Sequence, residues 1–126
     1  MINGLRAVSI WSADLNNLLS FYRDVLGLPV AIESPRFVVL GAAGRPSIGL
    51  GTHTDVRGRN PDPARHMIGL PTDDLVADWT RLKAAGVEFV EDPTDYDTVS
   101  IATMKDPGGN LIQLLQPARG RLLGAR

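Results

Sequence analysis

The sequence predicts an α+β fold in which a strand-helix-strand-strand-strand unit occurs twice. Each half begins with a strand of alternating polarity, followed by an amphipathic helix that opens at an aspartate, Asp14 or Asp74, and closes at a glycine. The two halves also align at a constant offset, because Asp14 and Asp74 are 60 positions apart, as are Leu15 and Leu75. The chain is therefore an internal duplication and not a solenoid, which needs at least about three repeats.

The first half contains the first copy of this unit. In the predicted strand LRAVSIW, Val8 and Ile10 point to one face. The opposite face of that strand carries Ala7, Ser9 and Trp11. The helix that follows has an apolar stripe made of Leu15, Leu18, Leu19, Tyr22, Val25 and Leu26. Glycine and proline then separate three short predicted strands, over about 29–33, 36–41 and 46–52.

The second half repeats the pattern after a predicted connecting loop over 53–65, HTDVRGRNPDPAR. Its first strand places Ile68 and Leu70 on one face. The other face of this strand carries Met67, Gly69 and Pro71. The helix that begins after Asp74 ends at Gly86. The remaining predicted strands lie near 87–91, 98–104 and 110–116.

These elements predict one domain over residues 1–126. Its parts are module one at about 4–52, the linker at 53–65, module two at about 66–117 and a solvated tail at 118–126. Apolar residues make up 44% of the chain and the net charge is −1, which gives no basic surface for nucleic acid. With no cysteine, no secretory leader pattern and no long apolar run, we expect a cytoplasmic protein without a nucleic-acid or membrane partner.

The stretch DPGGN at 106–110 predicts a tight turn, because aspartate, proline, glycine and asparagine are strong turn formers. The strand behind it, LIQLLQ, is apolar except for its amides. Alternation places Gln113 on the same face as Leu111 and Leu115. A single amide in the middle of an apolar strand indicates a polar contact at Gln113.

Two motifs, DLNNLLSFYRDVLGL and KDPGGNLIQLLQP, separated by a DDL and LKAAGVEF segment, resemble the vicinal oxygen chelate superfamily. That superfamily includes glyoxalase I, bleomycin-resistance proteins, extradiol dioxygenases and methylmalonyl-CoA epimerases. The resemblance covers about residues 4–117. It implies a glyoxalase/bleomycin-resistance-like fold, in which two βαβββ modules form incomplete barrels around a cleft. In the metal enzymes of the superfamily, His, Gln or Glu from the first and last strands of each module line the cleft as ligands.

The resemblance implies that the ligand positions correspond to Ala7, Gly49, Met67 and Gln113. Alanine and glycine donate no ligand, whereas zinc needs about three protein ligands, so we expect no metal and no other cofactor. Strand alternation turns His66 away from the cleft, although a one-residue bulge would turn it inward and keeps a metal site open as an alternative. His53, at the mouth of the linker, is interpreted as a partly exposed structural residue.

The candidate ligand-binding residues are Ala7, Ser9, Trp11, Gly49, Met67, Gly69, Tyr96 and Gln113. Glycines in strands either make room for a bulky ligand or mark a close approach of the backbone. Trp11 either stacks on a planar ligand or closes the core or a subunit interface. Tyr96 lies in a loop that leads into the strand at 98–104, and is either a ligand contact or a surface aromatic.

No His, Asp or Glu falls on a strand position that we assign to the cleft, so no catalytic residue is assigned. Glu33, Asp95 and Asp97 could reach it only from loops or strand ends. We therefore expect a protein that binds a small, bulky and partly apolar molecule in a metal-free cleft. The alternatives are a metal-dependent lyase, isomerase or dioxygenase with displaced ligands, and a cofactor-free enzyme that uses a loop acid. A homodimer is expected, because Leu111 and Leu115 form an apolar face that needs a cover.

Overall fold

The computed structural model describes residues 1–117, and the predicted tail over 118–126 lies outside the described residues. The chain divides into two compact units, Met1–Arg59 and Asn60–Arg126. Each unit contains one of the predicted modules, and from here on module one and module two denote these two units. Each module is a four-stranded open sheet with a helix, in the order strand-helix-strand-strand-strand. The predicted α+β fold with two βαβββ modules is therefore confirmed.

Module one contains the first four strands of the protein. Its elements are β1 (Ala7–Ser12), α1 (Leu15–Leu19) with a π-helical continuation (Ser20–Val25), β2 (Val30–Glu33), β3 (Phe37–Leu40) and β4 (Ser47–Thr52). The strand order is β1-β4-β3-β2, with β1 parallel to β4 and the other neighbours antiparallel. Asp14 begins the helix as predicted, because its carboxylate accepts a hydrogen bond from the backbone N–H of Asn17 at 3.1 Å.

The core of module one lies between the helix and one face of the sheet. Alternate strand residues Ile10, Val38 and Leu50 are buried there, together with Leu18 and Tyr22 from the helical segment. Each large apolar side chain that is fully buried contributes roughly 1.5–3 kcal/mol to folding. The helix therefore covers one face of the sheet, and we call the opposite face of each sheet its non-helical face.

Module two repeats this arrangement. Its elements are a short 3₁₀ turn (Pro63–Arg65), β5 (Ile68–Pro71), α2 (Leu75–Ala84), β6 (Phe89–Asp95), β7 (Val99–Lys105) and β8 (Leu111–Pro117). The strand order is β5-β8-β7-β6. The carboxylate of Asp74 accepts a hydrogen bond from the Ala77 N–H at 3.1 Å and so begins α2. Within residues 1–117, no helix is long and apolar enough to span a membrane.

The end of α2 confirms the predicted glycine stop. Gly86 has a φ of +93°, a backbone conformation that glycine adopts at little cost. Its N–H donates to the Lys83 carbonyl at 3.0 Å, and the Val87 N–H donates to the Leu82 carbonyl at 3.0 Å. These two bonds satisfy the carbonyls that the helix end would otherwise leave unpaired, in the pattern of a Schellman motif.

The predicted turn at 106–110 is confirmed and connects β7 to β8. One oxygen of the buried Asp106 carboxylate accepts hydrogen bonds from the Gly108 N–H at 2.9 Å and the Asn110 N–H at 2.8 Å. The other oxygen accepts one from the Asn110 side-chain amide at 2.8 Å. The turn therefore folds around a single carboxylate, and it fixes where β8 begins.

The strand predicted over 87–91 instead runs from Phe89 to Asp95 and contains two register shifts against β7. Pro93 lies inside it, which an edge strand tolerates because a proline there need not donate a hydrogen bond to a neighbour. β6 is an edge strand, since β7 is its one neighbour in the sheet. The prediction stopped this strand too early because the segment EDP reads as a loop.

Candidate functional site

The strand register of module one places four predicted site residues on the non-helical face. Ser9 pairs with Gly49, and Trp11 pairs with Gly51, so side chains at these positions point to the same side. Phe37 of β3 also pairs with Gly51. Ala7 lies at the start of β1 on the same face and is exposed.

Three aromatic rings form a cluster on this face. The ring centroids of Trp11 and Phe37 are 5.7 Å apart, with an angle of 34° between the planes. The His53 ring meets Trp11 edge-on, with centroids 5.6 Å apart and planes at 67°. These separations are typical of favourable aromatic pairs. Trp11 remains 39% exposed, so part of its surface is free to contact another molecule. We call Trp11, Phe37 and His53 the aromatic cluster.

The strand glycines lie beneath these rings. A Cβ atom added at Gly49 would lie 2.4 Å from Cζ of Phe37. One added at Gly51 would lie 2.7 Å from Cζ3 of Trp11 and 2.8 Å from Cδ1 of Phe37. In this module, the space that glycine creates is filled by the protein's own aromatic rings, and the glycines set how closely those rings approach the sheet.

We expect Gly51→Ala to destabilise the protein by about 1–3 kcal/mol, because the added methyl group forces both rings from their places. The free energy of unfolding in urea measures this loss. Gly69→Ala is a matched control, since its Cβ would meet only the end of the flexible Leu115 side chain, at 2.6 Å from Cδ1. A Gly51→Ala variant as stable as Gly69→Ala would show that the rings move freely.

A row of polar side chains crosses the non-helical face of module two. Gly69 of β5 pairs with Gln113 of β8, which pairs on its other side with Thr103 of β7. Thr103 in turn pairs with Glu91 of β6. We call Gln113, Thr103 and Glu91, together with Tyr96 beyond them, the polar row.

The Glu91 carboxylate connects the outer part of this row. One of its oxygens accepts a hydrogen bond from the Thr103 hydroxyl at 3.1 Å, and the other accepts one from the Tyr96 hydroxyl. The Thr103 side chain is buried, whereas Glu91 and Gln113 are half-buried. Among residues 1–117, no hydrogen-bond partner is present for the Gln113 amide. Gln113 therefore has donors and an acceptor to offer to another molecule.

The hydrogen bond to Glu91 raises the pKa of the Tyr96 hydroxyl, and burial and the negative charge of Glu91 act in the same direction. The stability gained from this pair is therefore complete below about pH 10, where a free tyrosine ionises, and is lost as the pH rises through the higher pKa of the folded state.

We expect Glu91→Gln to lower the pH at which Tyr96 ionises. Tyrosinate absorbance, after subtraction of the Tyr96→Phe titration, measures this pKa; an unchanged midpoint in Glu91→Gln would contradict the assignment.

The expectation that no acid lies on a strand position of this face is wrong, because Glu91 of β6 lies there. Phe89 pairs with Met104, so unbroken alternation would pair Glu91 with Ala102 and turn it toward the helix. The extra residue Val90 forms a bulge and brings Glu91 opposite Thr103 instead. Bulges of this kind re-aim a side chain from one face of a sheet to the other.

Two other predicted residues lie at the margins. Met67 immediately precedes β5 and is 39% exposed, while the β5 residue beside Gln113 is Gly69. Tyr96 follows β6, in the connection to β7, as predicted, and is 50% exposed. His66 lies between the 3₁₀ turn and β5 and is exposed. In the described part of the chain, no three His, Asp or Glu residues cluster in a way that could hold a metal ion.

Residues 4–114 match the family described as Glyoxalase/Bleomycin resistance protein/Dioxygenase superfamily. The chain belongs to this superfamily. Two curated relatives match over shorter segments: the uncharacterized protein YurT of Bacillus subtilis (strain 168), 44% identical over 43 residues, and an uncharacterized protein of Shewanella frigidimarina, 37% identical over 57 residues. These segments cover 34% and 45% of this chain, and 34% and 42% of the relatives' own lengths.

Solved structures match over nearly the whole chain. TnmS3, an antibiotic binding protein from Streptomyces sp. CB03234, is 26% identical with a TM-score of 0.76, over 93% of this chain and 98% of that one. A superfamily member from Sphaerobacter thermophilus is 24% identical with a TM-score of 0.74, over 91% and 98% of the two chains. Lactoylglutathione lyase from Agrobacterium tumefaciens is 22% identical with a TM-score of 0.71, over 91% and 94%. The last two likenesses concern the fold alone.

The residues at the four ligand positions that the resemblance implies can be compared with the ligands that a metal site needs. These positions hold Ala7, Gly49, Met67 and Gln113. The first two have no donor atom, and in module one the backbone at Gly49 lies under the Phe37 ring. Zinc sites use thiolate, imidazole and carboxylate ligands, so the Met67 thioether does not match, and Gln113 alone has a side chain of a type that the superfamily's metal enzymes use. The residues present do not fit the superfamily's metal site.

Sequence reasoning missed Phe37, His53, Thr103 and Glu91. A signal for Glu91 was present, because proline within a strand is confined to edge strands and bulges, and Pro93 follows two residues later. Phe37 was identifiable as a partner of the strand glycines only after the register between β3 and β4 was known. The contact of His53 with Trp11 depends on how the chain turns after β4, and no local pattern specifies that turn.

Proposed function

We propose that the protein binds a small, bulky and partly apolar molecule in a metal-free site on the non-helical face of a sheet. The observation that carries this proposal is the aromatic cluster, in which Trp11 is held by Phe37 and His53 but keeps 39% of its surface exposed. A rigid aromatic ring offers a large contact area for a flat ligand at little cost in conformational entropy. The likeness to the antibiotic binding protein TnmS3 supports the same class of function.

A metal-free site is part of this proposal because Ala7 and Gly49 have no donor atom and Met67 offers only a thioether, which leaves Gln113 alone where about three ligands are needed. Changing Gln113 to glutamate alone would add one carboxylate, whereas a zinc site needs about three protein ligands. Metal-dependent lyase, isomerase or dioxygenase chemistry would require ligands elsewhere, and His66 would be the first candidate.

Native mass spectrometry of protein purified from its own host tests the proposal. We expect a retained organic molecule on the folded chain and no stoichiometric divalent metal after dialysis. Elemental analysis with and without added Zn²⁺, Ni²⁺ or Mn²⁺ measures the second point. One tightly held ion per chain would overturn the metal-free site. Conversion of the retained molecule during incubation would show that the protein is an enzyme and not only a binding protein.

We also propose a homodimer in solution. Apolar side chains at the surface support it, because Val30 and Ile32 on the edge strand β2 are 40% and 64% exposed. Exposed apolar groups of this kind mark association surfaces when they are contiguous. Light scattering at micromolar concentration should give the mass of two chains, and the mass of one chain would contradict it.

A further inference from the structure

We infer that Glu91 is a ligand-recognition residue that accepts a hydrogen bond from an O–H or N–H group of the bound small molecule. Gln113 supplies the second polar contact on the same face. The inference rests on the proposed small-molecule function and adds to it the class of ligand: a partly apolar molecule that carries a hydroxyl or amino group.

The Glu91 carboxylate is held in place by two hydrogen bonds and can accept further ones. An ionised carboxylate has about four acceptor positions, and Thr103 and Tyr96 occupy one on each oxygen. Both neighbours donate to Glu91 and orient the carboxylate, and among residues 1–117 no cationic side chain pairs with its charge. The side chain is half-buried, which leaves part of it accessible to a ligand. A hydrogen bond to a charged acceptor is about twice as strong as one between neutral groups.

Gln113 lies two strands away from Glu91 in the same sheet, at roughly 9.5 Å between backbones. Thr103 lies between them, and its hydroxyl already donates to Glu91. A ligand on this face therefore meets a carboxylate on one side and a free amide on the other. These two groups can hold opposite ends of a ring system of ordinary size.

Apolar side chains complete this face. Ile101 pairs with Leu115, and Leu115 packs over the backbone of Gly69. Both side chains are half-buried, as is Leu111 further along β8. A ligand with an apolar body and a single donor group matches this combination, because the body covers the leucines and the donor reaches the acid. A purely apolar ligand would leave the carboxylate desolvated and unpaired, which is unfavourable.

The test uses two planar probes, naphthol and its methyl ether, which share one ring system but differ in the O–H donor. Their dissociation constants and the chemical shifts of the Gln113 side-chain amide are followed by NMR. We expect the parent protein to bind naphthol about tenfold more tightly than the ether. Glu91→Gln should reduce this preference to within about twofold while keeping the fold, because a neutral amide is a weaker acceptor.

Asp92→Asn is the matched control. Asp92 is the next residue on β6, but its carboxylate accepts a hydrogen bond from the Trp79 indole N–H of α2 at 3.2 Å. Asp92→Asn also removes one negative charge from β6, but it should leave the preference for naphthol unchanged. An equal loss of preference in Asp92→Asn would indicate a general charge effect and would overturn the inference.

The outcomes separate the inference from the proposed function. Equal affinity for both probes in the parent, with shifts at Trp11 and none at Gln113, overturns the role of Glu91 and leaves the aromatic site standing. An unchanged preference in both Glu91→Gln and Glu91→Ala also overturns it. If neither probe binds up to its solubility limit, the proposed function fails, and the inference fails with it.

Discussion

Trp11→Ala is expected to weaken the binding of a planar aromatic probe, such as the methyl ether of naphthol, by about tenfold. Burying an aromatic ring removes about 150–250 Å² from water, and good ring geometry adds about 0.5–1.5 kcal/mol. Since Trp11 is held by Phe37 and His53, the ring is already ordered before a ligand arrives. Isothermal titration calorimetry measures the change in affinity.

The second tryptophan provides the control for this experiment. Trp79 lies on α2, donates to Asp92 and stacks under Lys83, whose Nζ is 5.0 Å from the ring centroid. Trp79→Phe should therefore leave probe affinity unchanged. The indole N–H signals of Trp11 and Trp79 also report separately in NMR, so the probe should shift the first and not the second. Equal affinity of Trp11→Ala and the parent would make Trp11 a structural residue.

Asp106→Ala is expected to lower the free energy of unfolding by about 2–4 kcal/mol, which is the largest effect on stability that we predict. The substitution removes an acceptor of three hydrogen bonds from a position that is only 3% exposed. The half-buried Gly108 and Asn110 N–H groups then lose their partners, and an unsatisfied donor that is fully buried costs about 1–3 kcal/mol. The urea midpoint should fall by roughly 1–2 M.

Asp106→Asn tests whether the acceptor or the charge matters. It keeps one carbonyl oxygen, which can still accept from the two backbone N–H groups, so we expect a smaller loss than in Asp106→Ala. Because β8 begins directly after this turn, Asp106→Ala should also broaden the NMR signals of Gln113. A loss below about 0.5 kcal/mol would contradict the role assigned to this carboxylate.

The elements that sequence reasoning located well depend on local chemistry. Asp14 and Asp74 cap their helices because a carboxylate satisfies nearby backbone donors, and this requires no knowledge of the rest of the fold. Alternation correctly separated Ile10 on the core side from Trp11 on the non-helical face. These features are specified by neighbours within a few residues along the chain.

The features that escaped prediction depend on contacts between strands. Glu91 faces the polar row because one extra residue, Val90, interrupts the alternation, and such an interruption is defined only against the partner strand. The sequence left two interpretations of the strand glycines open, room for a ligand or a close approach. At Gly51 the space is occupied by Trp11 and Phe37, which reach it from two different strands. The residues that form the site are specified by the register between strands, whereas the fold is specified by the hydrophobic pattern along the chain.

The bulges also bear on how the protein can associate. β2 and β6, at equivalent edges of the two sheets, both contain register shifts, between Val30 and Ile32 in one and around Glu91 in the other. A regular row of unpaired backbone groups is a template on which another chain can add a strand, and a bulge interrupts that row. Contact between copies through these two edges must therefore use side chains and not a continued sheet. Such contacts can join two molecules without starting the open-ended growth of a fibre.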